Sequence, residues 1–277
     1  MKIFKAFGTV AFTVLTLALT AHGQTTAGQG KVATSGKAVD VGAIVRAFTA
    51  KETEFRRALN GYTFTRDALV QTIGVGGEVT GEYQRTSQFT FDDAGNRFER
   101  ITHFPVPTLT EVSFTNEDLE DLGGVQPFAL EASKIDRYNF TYVGTEKVDE
   151  LNTYVFDVSP KVMPKKESER FFQGRVWVDD RDLQIVKVRG KGVPEGKQRF
   201  PTFETYRQQI DGKFWFPTYT SADDNLVFPD GQVVHIRMVV RYTNYKRFQG
   251  KVRVVEEGEP GDVGEPSPAP PSSRPKP

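Results

Sequence analysis

Residues 233–242 read VVHIRMVVRY, and the alternation within this stretch decides the class of fold. Taken in steps of two, one side of the stretch carries five apolar or aromatic residues: Val234, Ile236, Met238, Val240 and Tyr242. The other side carries His235, Arg237 and Arg241. Successive side chains of a β-strand point to opposite faces of the sheet, so this period of two predicts a strand with one buried face.

The same alternation recurs along most of the chain. It predicts ten strands, at residues 62–73, 82–91, 97–104, 137–147, 152–159, 170–179, 183–190, 202–210, 213–221 and 232–248. Turn sequences separate them at residues 92–96, at Asp211-Gly212 and at residues 229–231. Pro201 and Pro217 lie beside or inside strands, which predicts edge strands or bulges there. The pattern indicates a long antiparallel sheet with one apolar, aromatic face.

One long amphipathic helix is predicted before the strands. Its apolar stripe consists of Val41, Ile44, Val45, Phe48, Phe55 and Leu59. Asp40 is the expected N-cap, and Asn60-Gly61 is the expected left-handed stop. A second, short helix is predicted to start at Thr115, with Glu117 and Asp118 in its first turn.

These two helices are small beside the apolar face of so many strands. A closed core is the simplest interpretation of an aromatic face, and a curled sheet could partly cover itself. The shortage of helix favours a cavity along the face instead.

Composition divides the chain into four stretches. Residues 1–23 read as a signal peptide, and residues 24–39 are small and polar and predict a flexible lead-in. Residues 40–250 carry all the predicted elements and are expected to form a single domain. Residues 251–277 are rich in proline and glycine and predict a disordered tail.

The predicted leader places the protein in the periplasm or outside the cell. Lys2 and Lys5 precede an apolar run, and small residues predict cleavage before Gln24. An uncleaved membrane anchor is the alternative, but threonines interrupt the run and it is short for a membrane span. The mature chain is expected to carry no transmembrane segment.

Composition also excludes several classes of function. The chain has no cysteine, which excludes disulfides, thiolate metal sites, a cysteine nucleophile and a lipid-anchoring cysteine. The 36 basic and 36 acidic residues balance, so the chain lacks the basic footprint of a nucleic-acid-binding protein. Its 22 phenylalanines suit an apolar interior or cavity better than a polar catalytic cleft.

The acidic clusters are interpreted as turns and not as metal sites. Asp179, Asp180 and Asp182 could offer oxygen ligands to calcium, but the glycine and distant glutamate of a calcium loop are missing. A polar hairpin tip is the preferred interpretation. Residues 223–225, Asp-Asp-Asn, are likewise interpreted as a loop, and we predict neither a metal nor a cofactor.

Catalytic motifs are missing as well. His103 and His235 lie on predicted strands beside no serine or acid pattern that would make a triad. Hydrolysis by a pair of Asp or Glu residues stays open, because such pairs are set by space and not by sequence. We therefore expect a protein that is not an enzyme.

Four hairpin segments carry a resemblance to a known family. They read YVFDVSP at 154–160, FQGRVWVD at 172–179, LQIVKVR at 183–189 and DGKFWFPTY at 211–219. These segments resemble the outer-membrane lipoprotein-sorting superfamily, which includes the carrier LolA, the receptor LolB and the regulator RseB. The layout of residues 40–248 is similar throughout. The missing cysteine and the proline-rich tail depart from that pattern, and the former argues against a LolB-type lipoprotein.

The resemblance implies an α+β, mostly β fold: a curved, half-open antiparallel β-barrel covered by the N-terminal helix and the short second helix. Acyl chains of a lipid or lipoprotein, or another hydrophobic ligand, would lie between sheet and helix. By alternation alone, the lining residues are expected to be Phe48, Phe55, Phe89, Tyr138, Phe140, Tyr142, Tyr154, Phe156, Val176, Phe216, Ile236, Met238 and Val240.

Three functions follow, in order of preference. The first is a periplasmic or secreted carrier of acyl chains. The second is an RseB-like sensory module that binds an envelope protein, favoured by the tail and by the charged loop at residues 160–169. The third is a secreted hydrolase that uses Asp or Glu pairs.

Overall fold

The computed structural model describes residues 39–92, 94–112, 118, 129–166 and 169–248. The predicted leader, the lead-in up to residue 38 and the tail from residue 251 lie outside the described residues. So does the second short helix, apart from Asp118. The described residues from Asp40 onward belong to one unit.

The described part of this unit contains one complete α-helix and ten strands. The helix is α1 (Val41–Leu59), and a six-residue 3-10 helix lies at Ala132–Arg137. The strands are β1 (Tyr62–Ile73), β2 (Val79–Phe91), β3 (Arg97–His103), β4 (Tyr138–Val148), β5 (Leu151–Pro160), β6 (Phe171–Asp179), β7 (Ile185–Val193), β8 (Phe203–Ile210), β9 (Phe214–Val227) and β10 (Val233–Arg247). All ten predicted strands are confirmed, with ends that differ by a few residues.

The strands form a single antiparallel sheet in the order β3-β2-β1-β10-β9-β8-β7-β6-β5-β4. Strands β4 to β10 follow one another as a meander, and β1 to β3 follow as another. The two meanders meet where β1 pairs with β10, for example at Ala68 opposite Val240. The strands β3 and β4 form the two ends, so the sheet is half-open, as expected.

The predicted helix is confirmed, but its predicted stop is wrong. The Asp40 side chain accepts a hydrogen bond from the Ala43 N–H at 2.9 Å, as an N-cap does. At the other end, Asn60 is right-handed, with φ −65° and ψ −17°. The Gly61 N–H donates to the Ala58 carbonyl at 2.8 Å, so a tight last turn ends the helix without a left-handed residue.

Turn and bulge predictions are confirmed where β8 meets β9. Asp211 and Gly212 have φ values of 52° and 65°, the left-handed pair that a two-residue hairpin turn requires. The register of these strands shifts beside Pro217, since Tyr206 faces Tyr219 but Arg207 faces Pro217. Proline has no N–H to donate to the ladder, so the bulge accommodates it inside the sheet.

The predicted loop at residues 223–225 is wrong, because β9 continues through it to Val227. Asp223 pairs with Arg237 across the ladder to β10, and its carboxylate also contacts the His235 ring nitrogen at 2.5 Å. Asp224 accepts a hydrogen bond from the Thr202 N–H at 2.9 Å. Partners on the neighbouring strand or loop thus satisfy the charges that suggested a turn.

The main core lies on the face of the sheet that α1 covers, called the helix face here. It is one cluster that joins α1 to β1, β2 and the strands from β4 to β10. On the opposite side, called the outer face here, Val155, Trp177 and Val186 form a small second cluster. The helix face is therefore where an apolar ligand could be held.

Candidate ligand-binding face

The structure brings all thirteen predicted lining residues together in the helix-face cluster. Nine of them are buried: Phe48, Phe55, Tyr138, Phe156, Val176, Phe216, Ile236, Met238 and Val240. Four are partly exposed: Phe89, Phe140, Tyr142 and Tyr154. The thirteen residues thus share one cluster on the helix face, and their role in ligand binding stays a prediction.

Ring contacts of α1 anchor it on this face. The Phe48 ring lies 5.6 Å from Phe140 and 5.5 Å from Phe156, on β4 and β5. The Phe55 ring lies 5.8 Å from Phe216 on β9. Edge-on and tilted packing at these distances is typical of a well-packed aromatic core.

A buried ion pair also joins α1 to the sheet. Glu52 accepts hydrogen bonds from both terminal nitrogens of Arg207 on β8, at 2.6 and 3.1 Å. The two side chains are only 2% and 6% exposed, and the guanidinium lies 4.4 Å from the Phe55 ring centre. Sequence reasoning missed this pair, although Glu52 falls on the apolar stripe between Phe48 and Phe55.

The segment before β4 lies against α1. Glu131 forms an ion pair with Arg56, and the Ala132 N–H donates to the Thr53 hydroxyl at 3.1 Å. Leu130 is buried in the helix-face cluster. The Arg56 side chain is 41% exposed, so its ion pair with Glu131 lies at the margin of α1 and contributes little to stability.

The opposite end of the helix face, formed by β1, β2 and β3, carries an arginine cluster. Glu99 on β3 pairs with Arg66 at 3.0 Å and with Arg85 at 2.9 Å. Arg97 lies over the ring of Phe64, 5.1 Å from its centre. Alternation along β1 could have placed Arg66 inward, since it stands between the buried residues Phe64 and Ala68.

Burial changes the acidity of groups at this end. It lowers the pKa of Arg97, and the nearby positive charge of Arg66 adds to that effect. It also raises the pKa of Tyr242, which faces Arg66 across the β1–β10 ladder, to about 12. Positive charge therefore stands here in a poorly solvated environment.

The outer face carries a groove of about 680 Å³ with mixed charges. Lys187 lies on its floor, 4.8 Å from the ring centres of both Trp177 and Tyr206, and pairs with Glu204 at 3.2 Å. Glu146 accepts a hydrogen bond from the Trp177 indole at 2.7 Å. These charges largely satisfy one another, which is typical of a solvated strand surface.

The acidic side chains of the turn after β6 also accept hydrogen bonds from groups close to them. The Asp179 carboxylate accepts from the backbone N–H groups of Arg181 and Asp182, at 3.2 and 3.1 Å. Asp182 accepts from the Trp215 indole at 2.7 Å. Within the described ranges, no three His, Asp or Glu side chains are grouped to share a metal ion. No helix in those ranges has the length and apolar character needed to cross a membrane.

Comparison with known proteins gives similarity to solved structures only. No family model and no curated protein matches the chain. A DUF1329 family protein from Desulfovibrio piger is 15% identical, with a TM-score of 0.37, over 73% of this chain and 92% of that one. A LolA superfamily protein from Nitrosomonas europaea is 13% identical, with a TM-score of 0.36, over 76% and 95%.

A third solved structure is described as an outer membrane lipoprotein-sorting protein domain from Vibrio parahaemolyticus. It is 12% identical, with a TM-score of 0.33, over 73% of this chain and 92% of that one. These descriptions include the superfamily that the hairpin segments resemble. Similarity at this level carries no argument about a ligand or a function.

Proposed function

We propose that the protein is a non-enzymatic carrier in the cell envelope that binds acyl chains on the helix face. The observation that carries this proposal is the extent of the helix-face cluster. It spans β1, β2 and the strands from β4 to β10, and its ring contacts with α1 fall on β4, β5 and β9. Each methylene that leaves water for such a surface gains about 0.8 kcal/mol.

The partly exposed members of the cluster mark where a chain would enter. At the β4 end, Phe140 packs against Phe48, and Tyr142 packs against Tyr154. Phe89 lies at the β2 end. The nine buried lining residues already pack together, so a long acyl chain must displace α1 or insert along its sides. We propose entry along α1, with the helix moving to widen the space.

Direct binding tests this function. The purified full-length protein would be titrated with a fluorescent fatty acid, for Phe89→Ser and Tyr142→Ser beside the parent chain. Val143→Ser is the matched control, because Val143 lies next to Tyr142 on the same strand but is exposed. We expect the parent and the control to bind alike, and at least one of the two other variants to bind about ten-fold more weakly.

The pattern of lost binding also shows where on the helix face the acyl chain binds. Loss confined to Phe89→Ser places the ligand at the β2 end, and loss confined to Tyr142→Ser places it at the β4 end. A parent protein that binds no fatty acid, and that retains no lipid when purified from its own envelope, contradicts the carrier function.

A protein-interaction module is the second candidate, and the edge strand β3 favours it. Phe98 and Ile101 on β3 are exposed, and so is Phe104 just after it. An edge strand presents unpaired backbone groups to which a partner strand can add, and exposed apolar side chains give such pairing specificity. The partner proposed is an extended apolar segment of an envelope protein.

Cross-linking in the envelope tests the second candidate. A photo-cross-linking residue at position 98 should capture one partner, whereas the same residue at position 143, on the opposite edge strand, should not. Equal capture at both positions contradicts a specific site on β3.

A further inference from the structure

Among the described residues, the arginine cluster at the β1–β3 end sets three guanidinium groups against one carboxylate, that of Glu99. Arg66, Arg85 and Arg97 share this region of the helix face, and Glu99 is the acid that pairs with the first two. Arg97 instead donates to the Asn60 side-chain oxygen at 3.1 Å. In a poorly solvated site, surplus charge of this kind is costly unless another group compensates it.

Several donors in the cluster have no acceptor among the described residues. They are the Nε atoms of Arg66, Arg85 and Arg97, the second terminal nitrogen of Arg97 and the hydroxyl of Ser87. Arg66 is 6% exposed and Ser87 is fully buried. Buried polar groups in folded proteins nearly always have partners, so a set of unpartnered donors at one place points to a missing acceptor.

These donors converge because of strand register. Arg66 and Ser87 lie directly opposite each other on β1 and β2, and Arg85 is two residues from Ser87 on the same face. Directly opposed residues have Cβ atoms about 5 Å apart, and diagonal neighbours about 7–8 Å apart. That spacing suits several donors that share one group with two or three oxygens.

The aromatic surroundings suit the carbon chain of an amphiphile. The Phe64 and Phe89 rings stack at 4.6 Å, and Arg66 lies 4.9 Å from the Phe89 ring centre. Further along β1, Ala68 and Val70 continue the apolar floor. A polar head at the arginines and an apolar tail on this floor would therefore satisfy both parts of one molecule.

We propose that Arg66, Arg85 and Ser87 bind an oxyanion, the carboxylate or phosphate head of the amphiphile that the protein carries. Guanidinium groups bind both heads through charge-assisted hydrogen bonds. The choice of a lipid head over a free ion rests on the proposed carrier function. The oxyanion site itself rests on the donors alone.

Calorimetric titration of the full-length protein tests the site. The probes are octanoate, octyl phosphate, 1-octanol and inorganic phosphate. We expect both anionic amphiphiles to bind about ten-fold more tightly than octanol, because charge-assisted hydrogen bonds are added to the same apolar contacts.

Two variants and one control show which residues cause the preference for anionic probes. Arg85→Met should remove most of the preference for the anionic probes and leave octanol binding unchanged. Ser87→Ala should reduce the preference about five-fold without loss of thermal stability, because it removes a hydroxyl that has no acceptor in the described structure. Arg175→Met is the matched control, since it removes the same charge from the outer face, where Arg175 pairs with Asp157 at 2.7 Å.

The outcomes separate this site from the carrier function. Equal affinity for octanol and the anionic probes overturns the oxyanion site and leaves the carrier function in place. Binding of inorganic phosphate that Arg85→Met abolishes, without binding of any octyl probe, supports the site, identifies a free ion as its ligand and contradicts the carrier function. A preference that Arg175→Met reduces as much as Arg85→Met reflects overall charge and overturns the site.

Discussion

At the scale of single residues, the ion pair between Glu52 and Arg207 offers the sharpest test of the fold. We expect Glu52→Gln to lower the free energy of unfolding by about 3–5 kcal/mol, because it leaves the Arg207 charge buried and uncompensated. The double variant Glu52→Met, Arg207→Met should recover most of this loss, since no charge remains buried. Urea unfolding measures both, and a loss below about 1 kcal/mol in the single variant would contradict tight burial of the pair.

Asp182 gives a prediction about pH. Burial raises its pKa above the ordinary value of 3.8, although the hydrogen bond from Trp215 opposes that shift. Because the folded protein binds this proton more tightly than the unfolded chain, the contribution of Asp182 to stability is complete below pH 3.8 and is lost as pH rises through the raised pKa.

Fluorescence of Trp215 reports this titration directly. In a Trp177→Phe background, Trp215 is the remaining tryptophan of the two in the chain. We expect its emission to change with a midpoint above pH 3.8, and Asp182→Asn should abolish the change. A midpoint at or below the ordinary value would show that the carboxyl group is well solvated.

At the scale of elements, a pair of glycines on β6 and β7 leaves room for the Phe172 ring to lie against the backbone of both strands. Gly174 and Gly190 face each other across the ladder. A Cβ atom at position 190 would lie 2.4 Å from the Gln173 carbonyl oxygen and 2.5 Å from the Phe172 ring. We expect Gly190→Ala to destabilise the protein by about 1–3 kcal/mol, because the strand must shift.

Gly42 in α1 is the matched control for this substitution. A Cβ atom there would lie 3.3 Å from the terminal nitrogen of the flexible Arg46 side chain and 3.6 Å from the Asp40 carboxylate, without any backbone contact. We expect Gly42→Ala to stabilise the protein by up to ~1 kcal/mol through helix propensity. Thermal unfolding compares the two variants, and equal effects of the same sign would contradict the close approach at Gly190.

The sequence predicts these elements well where a period or a turn is local. The ten strands and the Asp40 cap follow from patterns that span a few residues, and so does the Asp211-Gly212 turn. Prediction failed at residues 223–225, where Asp223 lies in a strand and pairs with Arg237 on another strand. No local pattern contains that partner.

The candidate site shows the same limit. Local periodicity places the thirteen predicted positions on one face, because each strand and the helix α1 carry their own buried side in the sequence. Periodicity does not predict the ion pairs of Glu52 with Arg207 and of Arg66 with Glu99, because the fold brings these residues together from distant parts of the sequence. Ion pairs between residues that are distant in the sequence are therefore known only from the structure.

At the scale of the whole molecule, the proposed entry along α1 predicts that a looser helix binds ligand better. Arg56→Gln removes the ion pair with Glu131 at the margin of α1 without disturbing the core. If ligand binding requires α1 to move, the cost of that movement falls by up to ~1 kcal/mol and the apparent affinity for a fatty acid rises by up to about five-fold.

Lys51→Gln is the control for this prediction. Lys51 pairs with Glu54 at 2.9 Å within the same helix, so its loss does not release α1 from the rest of the fold. We expect no change in affinity for this variant. An unchanged affinity in Arg56→Gln as well would contradict movement of the helix.

The pairing of β1 with β10 has a consequence for the order in which the chain folds. The strand β1 can pair in the middle of the sheet only after β10 has been synthesised, and β10 begins about 170 residues later in the sequence. Strands β4 to β9 can pair as they are synthesised, but β1 to β3 must wait without their central partner. Folding of the complete sheet is therefore a late event that requires β10, and a chain shortened before Val233 would leave β1 to β3 without the strand that joins them to the rest of the sheet.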